Sequence, residues 1–349
     1  MTAPLPRFTV IGENIHATRV LRRGGAHIDE DPDGRTVIRF ADRDGSPRRL
    51  RIPEELQQAV DASGKVRHVT AGLLAAMSGG PDAGDGLAYL AHLVGRQVEH
   101  GAAFVDLNVD EVSVRTGEQE AAMAWLVRTV AGLSSVPVSL DSSSAQVIAA
   151  GLAAWEAASG PAADRPRPLL NSASLEHLDV LDLAAEHGCP VVLGAGGAAL
   201  PVDADERVAN ASRIVEEARA RGIPLEDHYI DPLVLPVATD PQVGGAFLGA
   251  VARLRSALGP DVHITGGLSN VSYGLPLRRL LNDVFIDLAI DAGADSGIVD
   301  PVANDLARVL GQDRSGEPYR LAADALTGRD PYCMAFLAAY RGGALAEGR

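Results

Sequence analysis

Acidic and amide side chains recur at one kind of place in this sequence, immediately after short runs of apolar residues. Glu13 and Asn14 follow the run Phe8–Gly12, and Asp106 and Asn108 lie at the end of Ala103–Val109. Asp141, Asn171, Asp231, Asn270 and Asp300 each stand at or just beyond the end of another such run. Carboxylates accept hydrogen bonds, and amides both donate and accept. A ring of these groups with few basic residues suits a neutral heterocycle rich in N–H donors better than a phosphorylated sugar. Carboxylates and amides in this combination can hydrogen-bond a 2-amino-4-oxo-pyrimidine edge. The competing reading is that each Asp or Asn caps the helix after it, which is reasonable for any single residue and weaker for the whole set.

The elements that must position these residues follow from hydrophobic periodicity. Short apolar runs at Phe8–Gly12, Ala103–Val109, Pro137–Leu140, Pro168–Leu170, Pro190–Leu193, His228–Ile230, His263–Leu268 and Ser296–Val299 read as strands. Segments of helical period follow most of them, at Glu118–Ala131, Ala145–Ala157, Leu175–His187, Asp205–Arg221 and Pro276–Ala292. Repeated β-then-α units predict an α/β chain folded as a (β/α)8 TIM barrel, in which the C-terminal strand ends surround the active site. A doubly wound sheet is disfavoured because no glycine-rich turn follows the first strand. Such a barrel has about 250 residues, so a single domain over residues 1–349 leaves a surplus, which falls between about Ala17 and Asp85. Within it, Thr36–Phe40 and Arg48–Ile52 flank Asp42-Arg43-Asp44-Gly45-Ser46-Pro47 and read as a β-hairpin. From Ala17 to Thr70 this insertion carries eleven basic and nine acidic residues, a balance of +2 against −17 for the rest of the chain. That contrast is expected either of a lid or docking surface for a large partner or of a decorative surface hairpin.

Composition narrows the function classes. The 349 residues are 46% hydrophobic, enough for a substantial core, and the formal charge of −15 disfavours nucleic acid and anionic membranes as partners. Two cysteines, Cys189 and Cys333, are too few for a disulfide framework, and the nine histidines form no Cys/His pattern or acid-linked i, i+4 pair, so no metal site is expected. The start Met1-Thr2-Ala3-Pro4-Leu5-Pro6-Arg7 has no apolar h-region behind it, and uncharged stretches such as Gly188–Val202 are short and broken by Gly and Pro. The expectation is a soluble, cytoplasmic protein.

Six motifs, in order along the chain, carry a resemblance: Ile11-Gly12-Glu13-Asn14-Ile15, Val105-Asp106-Leu107-Asn108-Val109, Ser139-Leu140-Asp141-Ser142-Ser143, Leu170-Asn171-Ser172, Tyr229-Ile230-Asp231-Pro232-Leu233 and Gly267-Leu268-Ser269-Asn270-Val271-Ser272. Together they resemble the methyltetrahydrofolate:corrinoid methyltransferases, a pterin-binding TIM-barrel family, and Gly267–Asn282 with Asp295–Pro301 is the most specific stretch. The resemblance implies that Asp141, Asn171 and Asp231 bind the pterin ring and that Asn270 lies beside N5, which carries the methyl group. It implies Arg278 as a contact for the anionic glutamate tail of the folate, with Glu13, Asp106 and Asn108 as weaker pterin-site residues. It further implies tetrahydrofolate or methyltetrahydrofolate as substrate, a corrinoid (cobalamin) on a separate partner protein, and a homodimer. Dihydropteroate synthases share the fold, but their Asp-Ser-Phe-Ser-Asp-Gly-type loop is missing here.

Several features test the resemblance. Asp261-Val262-His263-Ile264-Thr265-Gly266 matches an Asp-x-His-x-x-Gly cobalamin pattern, yet it runs straight into a strand and is read as part of the barrel. Gly194–Ala199 is glycine-rich without the context of a dinucleotide loop. Asn14 and His16 stand where relatives usually have Arg and Asn, and Asp110 where they usually have Gly. The function expected is methyl transfer between tetrahydrofolate N5 and corrinoid cobalt, in either direction. The alternative is a pterin-binding protein or subunit that has lost transfer.

Overall fold

A computed structural model describes residues 8–158 and 166–345. Eight strands form one sheet: β1 (Thr9–His16), β2 (Phe104–Asn108), β3 (Val138–Asp141), β4 (Leu169–Ala173), β5 (Val191–Gly194), β6 (His228–Asp231), β7 (His263–Ile264) and β8 (Ser296–Val299). Their order is β7-β6-β5-β4-β3-β2-β1-β8, so chain neighbours are sheet neighbours throughout. The pairings are parallel, for example Val105 with Val138 between β2 and β3 and Val192 with Tyr229 between β5 and β6. The two ends of this order also meet, because the Ile298 N–H donates to the Gly266 carbonyl at 2.9 Å and Gly267 bridges Ile298 in parallel. This is the α/β TIM-barrel fold read from the periodicity.

By its contacts the described chain divides into two compact units. The unit Gly12–Leu169 contains β1 from Gly12 to the start of β4. In it the segment after β1 folds into a three-stranded antiparallel sheet of Ile28–Glu30, Thr36–Ala41 and Pro47–Arg51, a two-stranded pair of Val20–Arg22 with Lys65–Arg67, and helices Glu54–Ser63 and His68–Met77. Thr36–Ala41 and Pro47–Arg51 are the two arms read as a hairpin, paired Ile38 to Leu50. Ile28, Ile38, Phe40, Leu50 and Ile52 alternate onto one face of this sheet and bury against Tyr89 of the helix Ala83–Glu99. That helix crosses His68–Met77 closely at Gly86, where a Cβ would stand 2.5 Å from Ala76 N. The strand-following helices Thr116–Leu133 and Ala145–Ala158 complete the unit.

In the other unit, helices Asp179–His187, Ala204–Ala220, Val243–Leu258 and Arg278–Ala292 follow β4 to β7. Several sequence boundaries shift: β1, predicted over Phe8–Gly12, runs on to His16, and β4, predicted over Pro168–Leu170, runs on to Ala173, so Glu13, Asn14 and Asn171 stand within strands rather than after them. The helix predicted from Leu175 begins at Asp179, since Ser174 and His177 first bridge each other. The strand predicted over His263–Leu268 ends at Ile264, and Leu268–Ser272 is a 3-10 turn. At Gly266 the backbone passes so close to Phe247 and Val234 that a Cβ would lie 3.1 Å from each. No helix among the described residues is long and apolar enough to cross a membrane.

Candidate functional site

In the unit Gly12–Leu169, the ends of β1, β2 and β3 hold a connected polar cluster. Asn108 is buried, and both ends of its amide are engaged: Oδ1 accepts from Asp110 N at 3.1 Å and Nδ2 donates to Asp141 Oδ2 at 3.0 Å. Asp110 in turn accepts from Ser142 Oγ at 2.6 Å and from Ser143 N and Oγ, each at 2.9 Å. It thereby ties the turn after β2 to the turn after β3, the turn that begins at Asp141. Burial raises the proton affinity of Asp141 well above the ordinary carboxylate range, and the charges of Asp106 and Asp110 raise it further, against the Asn108 hydrogen bond.

His16 lies 3.5 Å from Asp141, Nε2 to Oδ2. Burial and the charge of Arg19 lower its proton affinity, while Asp110 and Glu111 raise it. Burial thus favours the neutral form of each group. Thr18 fixes the ring by meeting Nδ1, through N at 3.3 Å and Oγ1 at 2.8 Å. Glu13 pairs with Arg19 at 3.4 Å, and Asn14 N donates to the buried Gln97 Oε1 at 2.9 Å. Asp106 is buried on β2.

In the other unit Asn171 is buried on β4, and Asp231 ends β6. Asp231 Oδ1 accepts from Leu233 N at 2.7 Å, and its carbonyl accepts from Ala195 N at 2.8 Å. Burial pushes Asp231 up to about 6 from an ordinary 3.8, against the Leu233 and Gly267 N–H groups and the charge of Arg207. Asn270 lies on the 3-10 turn after β7 and is exposed, its N–H donating to Gly267 O at 3.0 Å. A Cβ at Gly267 would stand 2.8 Å from Asn270 Nδ2, so a side chain there would displace the amide. Among the described residues, the Asn270 amide has no hydrogen-bond partner, which leaves it available to a ligand. Arg278 braces this turn, with Nε donating to Ser272 Oγ at 3.0 Å and Nη2 to Ser269 O at 2.8 Å. Asp300 accepts from Val302 N and Ala303 N and so acts partly as the turn cap that the competing reading expected.

Two contributors were missed from sequence. Asp110 appeared only as a departure at the mouth, whereas its carboxylate is engaged by Ser142 and Ser143. Arg207 is wholly buried, and its Nη1 donates to Pro232 O at 2.6 Å and to Leu233 O. A signal for it exists: Arg207, Ala211, Ile214, Val215 and Ala218 form the buried stripe of one helix, so a cation stands where the pattern asks for an apolar residue. His263 is also resolved. Its Nδ1 meets Asp295 Oδ2 at 2.9 Å and its ring stacks on Tyr229 at 4.4 Å, which makes it a strand residue with partners.

Comparison with known proteins is consistent with this arrangement. Over 256 residues the chain is 28% identical to a methylcorrinoid:tetrahydrofolate methyltransferase of Eubacterium limosum, covering 71% of this chain and 85% of that protein. It is 33% identical over 225 residues to the methionine synthase of Mycobacterium tuberculosis, covering 58% of this chain but only 17% of that longer protein. Among solved structures, a dihydropteroate synthase from Stenotrophomonas maltophilia with active site-bound imidazole superposes with a TM-score of 0.50 at 21% identity, over 65% of this chain and 86% of that one. That likeness is one of fold. The model of the pterin binding enzyme family matches residues 86–300, the stretch from the helix before β2 to the turn after β8. With Asp106, Asn108, Asp141, Asn171, Asp231 and Asn270 inside that span, the chain belongs to the pterin binding enzymes.

Proposed function

We propose that this chain is a methyltransferase that moves a methyl group between N5 of tetrahydrofolate and the cobalt of a corrinoid carried by a separate protein. The observation that carries the reading is Asn270: an exposed amide on a turn braced by Arg278, with a glycine beneath it. Simple pterin binding does not need an amide at N5, whereas methyl transfer does. A tertiary amine is a poor leaving group until N5 gains a proton or positive character, and an amide that hydrogen-bonds N5 more strongly as that charge changes stabilises the transition state selectively.

In this reading Asp141, Asn171 and Asp231 take the 2-amino-4-oxo edge of the pterin, with Glu13, Asp106 and Asn108 supporting them. The donor set fits such a ring. Asp231 is poised to lose its proton near neutrality and then accepts from ring N–H groups, and the buried Asp141, its proton affinity also raised, ends β3. Arg278, besides bracing the turn, is suited to the anionic tail of the folate. The corrinoid supplies a nucleophilic cobalt in one direction and the methyl group in the other, so no nucleophilic side chain is needed from this chain. The similarity to a methylcorrinoid:tetrahydrofolate methyltransferase along most of that protein's length supports the same pairing.

Titration with methyltetrahydrofolate, followed by a spectroscopic assay for methylcobalamin from added cob(I)alamin, tests this. Saturable binding followed by methylcobalamin formation is expected. Binding without transfer, to free corrinoid or to corrinoid proteins, would leave a pterin-binding subunit instead.

A further inference from the structure

Behind the β6 turn lies a group that pterin recognition alone does not explain. Arg207, on the helix Ala204–Ala220, has no exposed surface. Its Nη1 holds the carbonyls of both Pro232 and Leu233, the two residues after Asp231. Leu233 sits in the left-handed region at φ +67°, which a leucine does not adopt without support, and its N–H donates to Asp231 Oδ1 at 2.7 Å. The same helix reaches the neighbouring strand end as well, where Asn210 Nδ2 donates to Ala195 O at 3.1 Å and Ala195 N donates to Asp231 O at 2.8 Å.

Among the described residues Arg207 Nε and Nη2 have no hydrogen-bond partner. A buried guanidinium using one of its three nitrogens is a poor stabilising device, and apolar residues of similar volume often replace such buried charges without loss. Its placement calls for a reason other than stability.

We propose that Arg207 is a positioning residue for Asp231, fastening the Pro232–Leu233 turn from behind so that the carboxyl is held in one orientation toward the pterin. This rests on the pterin reading of Asp231. Electrostatics act in the same direction: Arg207 is the charged group whose field opposes burial at Asp231, and Asp231 and Asp203 act on Arg207 in return.

The test is methyltetrahydrofolate binding by the full chain between about pH 5 and pH 8, with thermal unfolding measured alongside. Wild-type binding is expected to weaken as pH falls through about 6, where Asp231 takes up its proton. For Arg207→Met, affinity is expected to fall about tenfold and the pH midpoint to rise by about one unit, with the melting temperature within a few degrees of wild type. Arg207→Lys keeps the charge and one donor in the same space, so affinity and midpoint close to wild type are expected, and if the methionine variant does not fold, a tenfold loss of affinity in the folded lysine variant overturns the proposal. A folded Arg207→Met with wild-type affinity overturns it as well. So does an affinity loss in Arg207→Met with no movement of the midpoint, which is the behaviour of an ordinary packing residue. Failure of the wild-type chain to bind methyltetrahydrofolate at all is distinguishable from both, since it removes the pterin reading itself.

Discussion

Asp231 shows at the scale of one residue how a buried carboxyl opposes stability. Its proton affinity lies near 6 in the fold against an ordinary 3.8, so the folded state prefers the neutral form. The stabilisation from protonation is therefore complete below about pH 4 and is lost as pH rises through about 6, leaving a destabilising buried carboxylate at neutrality. Asp231→Asn is expected to melt higher than wild type at about pH 7.5, with the gap closing toward pH 4, while methyltetrahydrofolate binds more weakly by about 1 to 3 kcal/mol. Calorimetry measures both. Equal affinity would remove Asp231 from the site. Asn270→Ala should behave differently. An N5 contact that matters most as the methyl leaves predicts a kcat loss of roughly 100-fold or more with folate affinity changed only about threefold. Stopped-flow transfer compared with equilibrium binding separates the two.

Among the elements, the segment after β1 is the largest addition to the plain barrel. Its surplus of basic residues suggested a charged docking face, but the arginines are engaged locally. Arg48 pairs with Asp42 at 2.6 Å and Asp85 at 3.0 Å, Arg51 with Asp31 at 3.0 Å, and Arg49 with Asp29 at 3.4 Å. Any docking by this segment thus relies on its shape as much as on free charge. It also has a core of its own, shared with Tyr89, so excising it would expose apolar surface on the helix Ala83–Glu99. Leu50, with no exposed surface at the centre of that core, gives the prediction at this scale. Leu50→Ala is expected to cost about 2 to 5 kcal/mol in urea unfolding. A loss below about 1 kcal/mol would show that the segment folds independently of that core.

At the scale of the whole molecule, the chain beyond β8 is part of the fold. Helix Val243–Leu258 approaches the helix Glu317–Leu326 so closely at Gly244 that a Cβ there would collide with Leu326 O. The terminal segment is tied down further by Arg308 on the buried Asp283 and by Arg314 and Tyr319 on the buried Asp287. Gly244→Ala must push backbone against backbone, and a loss of about 1 to 3 kcal/mol is expected from its urea midpoint. An unchanged midpoint would mean that the C-terminal helices pack only loosely.

Hydrophobic period and residue type determined much of this protein without any coordinates. Eight apolar runs set the eight barrel strands, because alternation between strand and helix period follows from backbone geometry alone. Asp141, Asn171, Asp231 and Asn270 could be singled out because they follow apolar runs, near the strand ends where this fold concentrates chemistry, and the pterin roles proposed for them rest on the resemblance. What tertiary structure alone decided concerns how those groups are held. The backbone at Gly266 runs close against Phe247 and Val234, which are remote in sequence. The role of Asp110 depends on Ser142 and Ser143, thirty-two and thirty-three residues away. Arg207 reaches carbonyls twenty-five and twenty-six residues downstream. Local pattern reports what a residue can do within its own turn or strand. Proton affinity, orientation and bracing depend on which distant groups the fold brings within a few ångströms, and a periodicity carries no term for that.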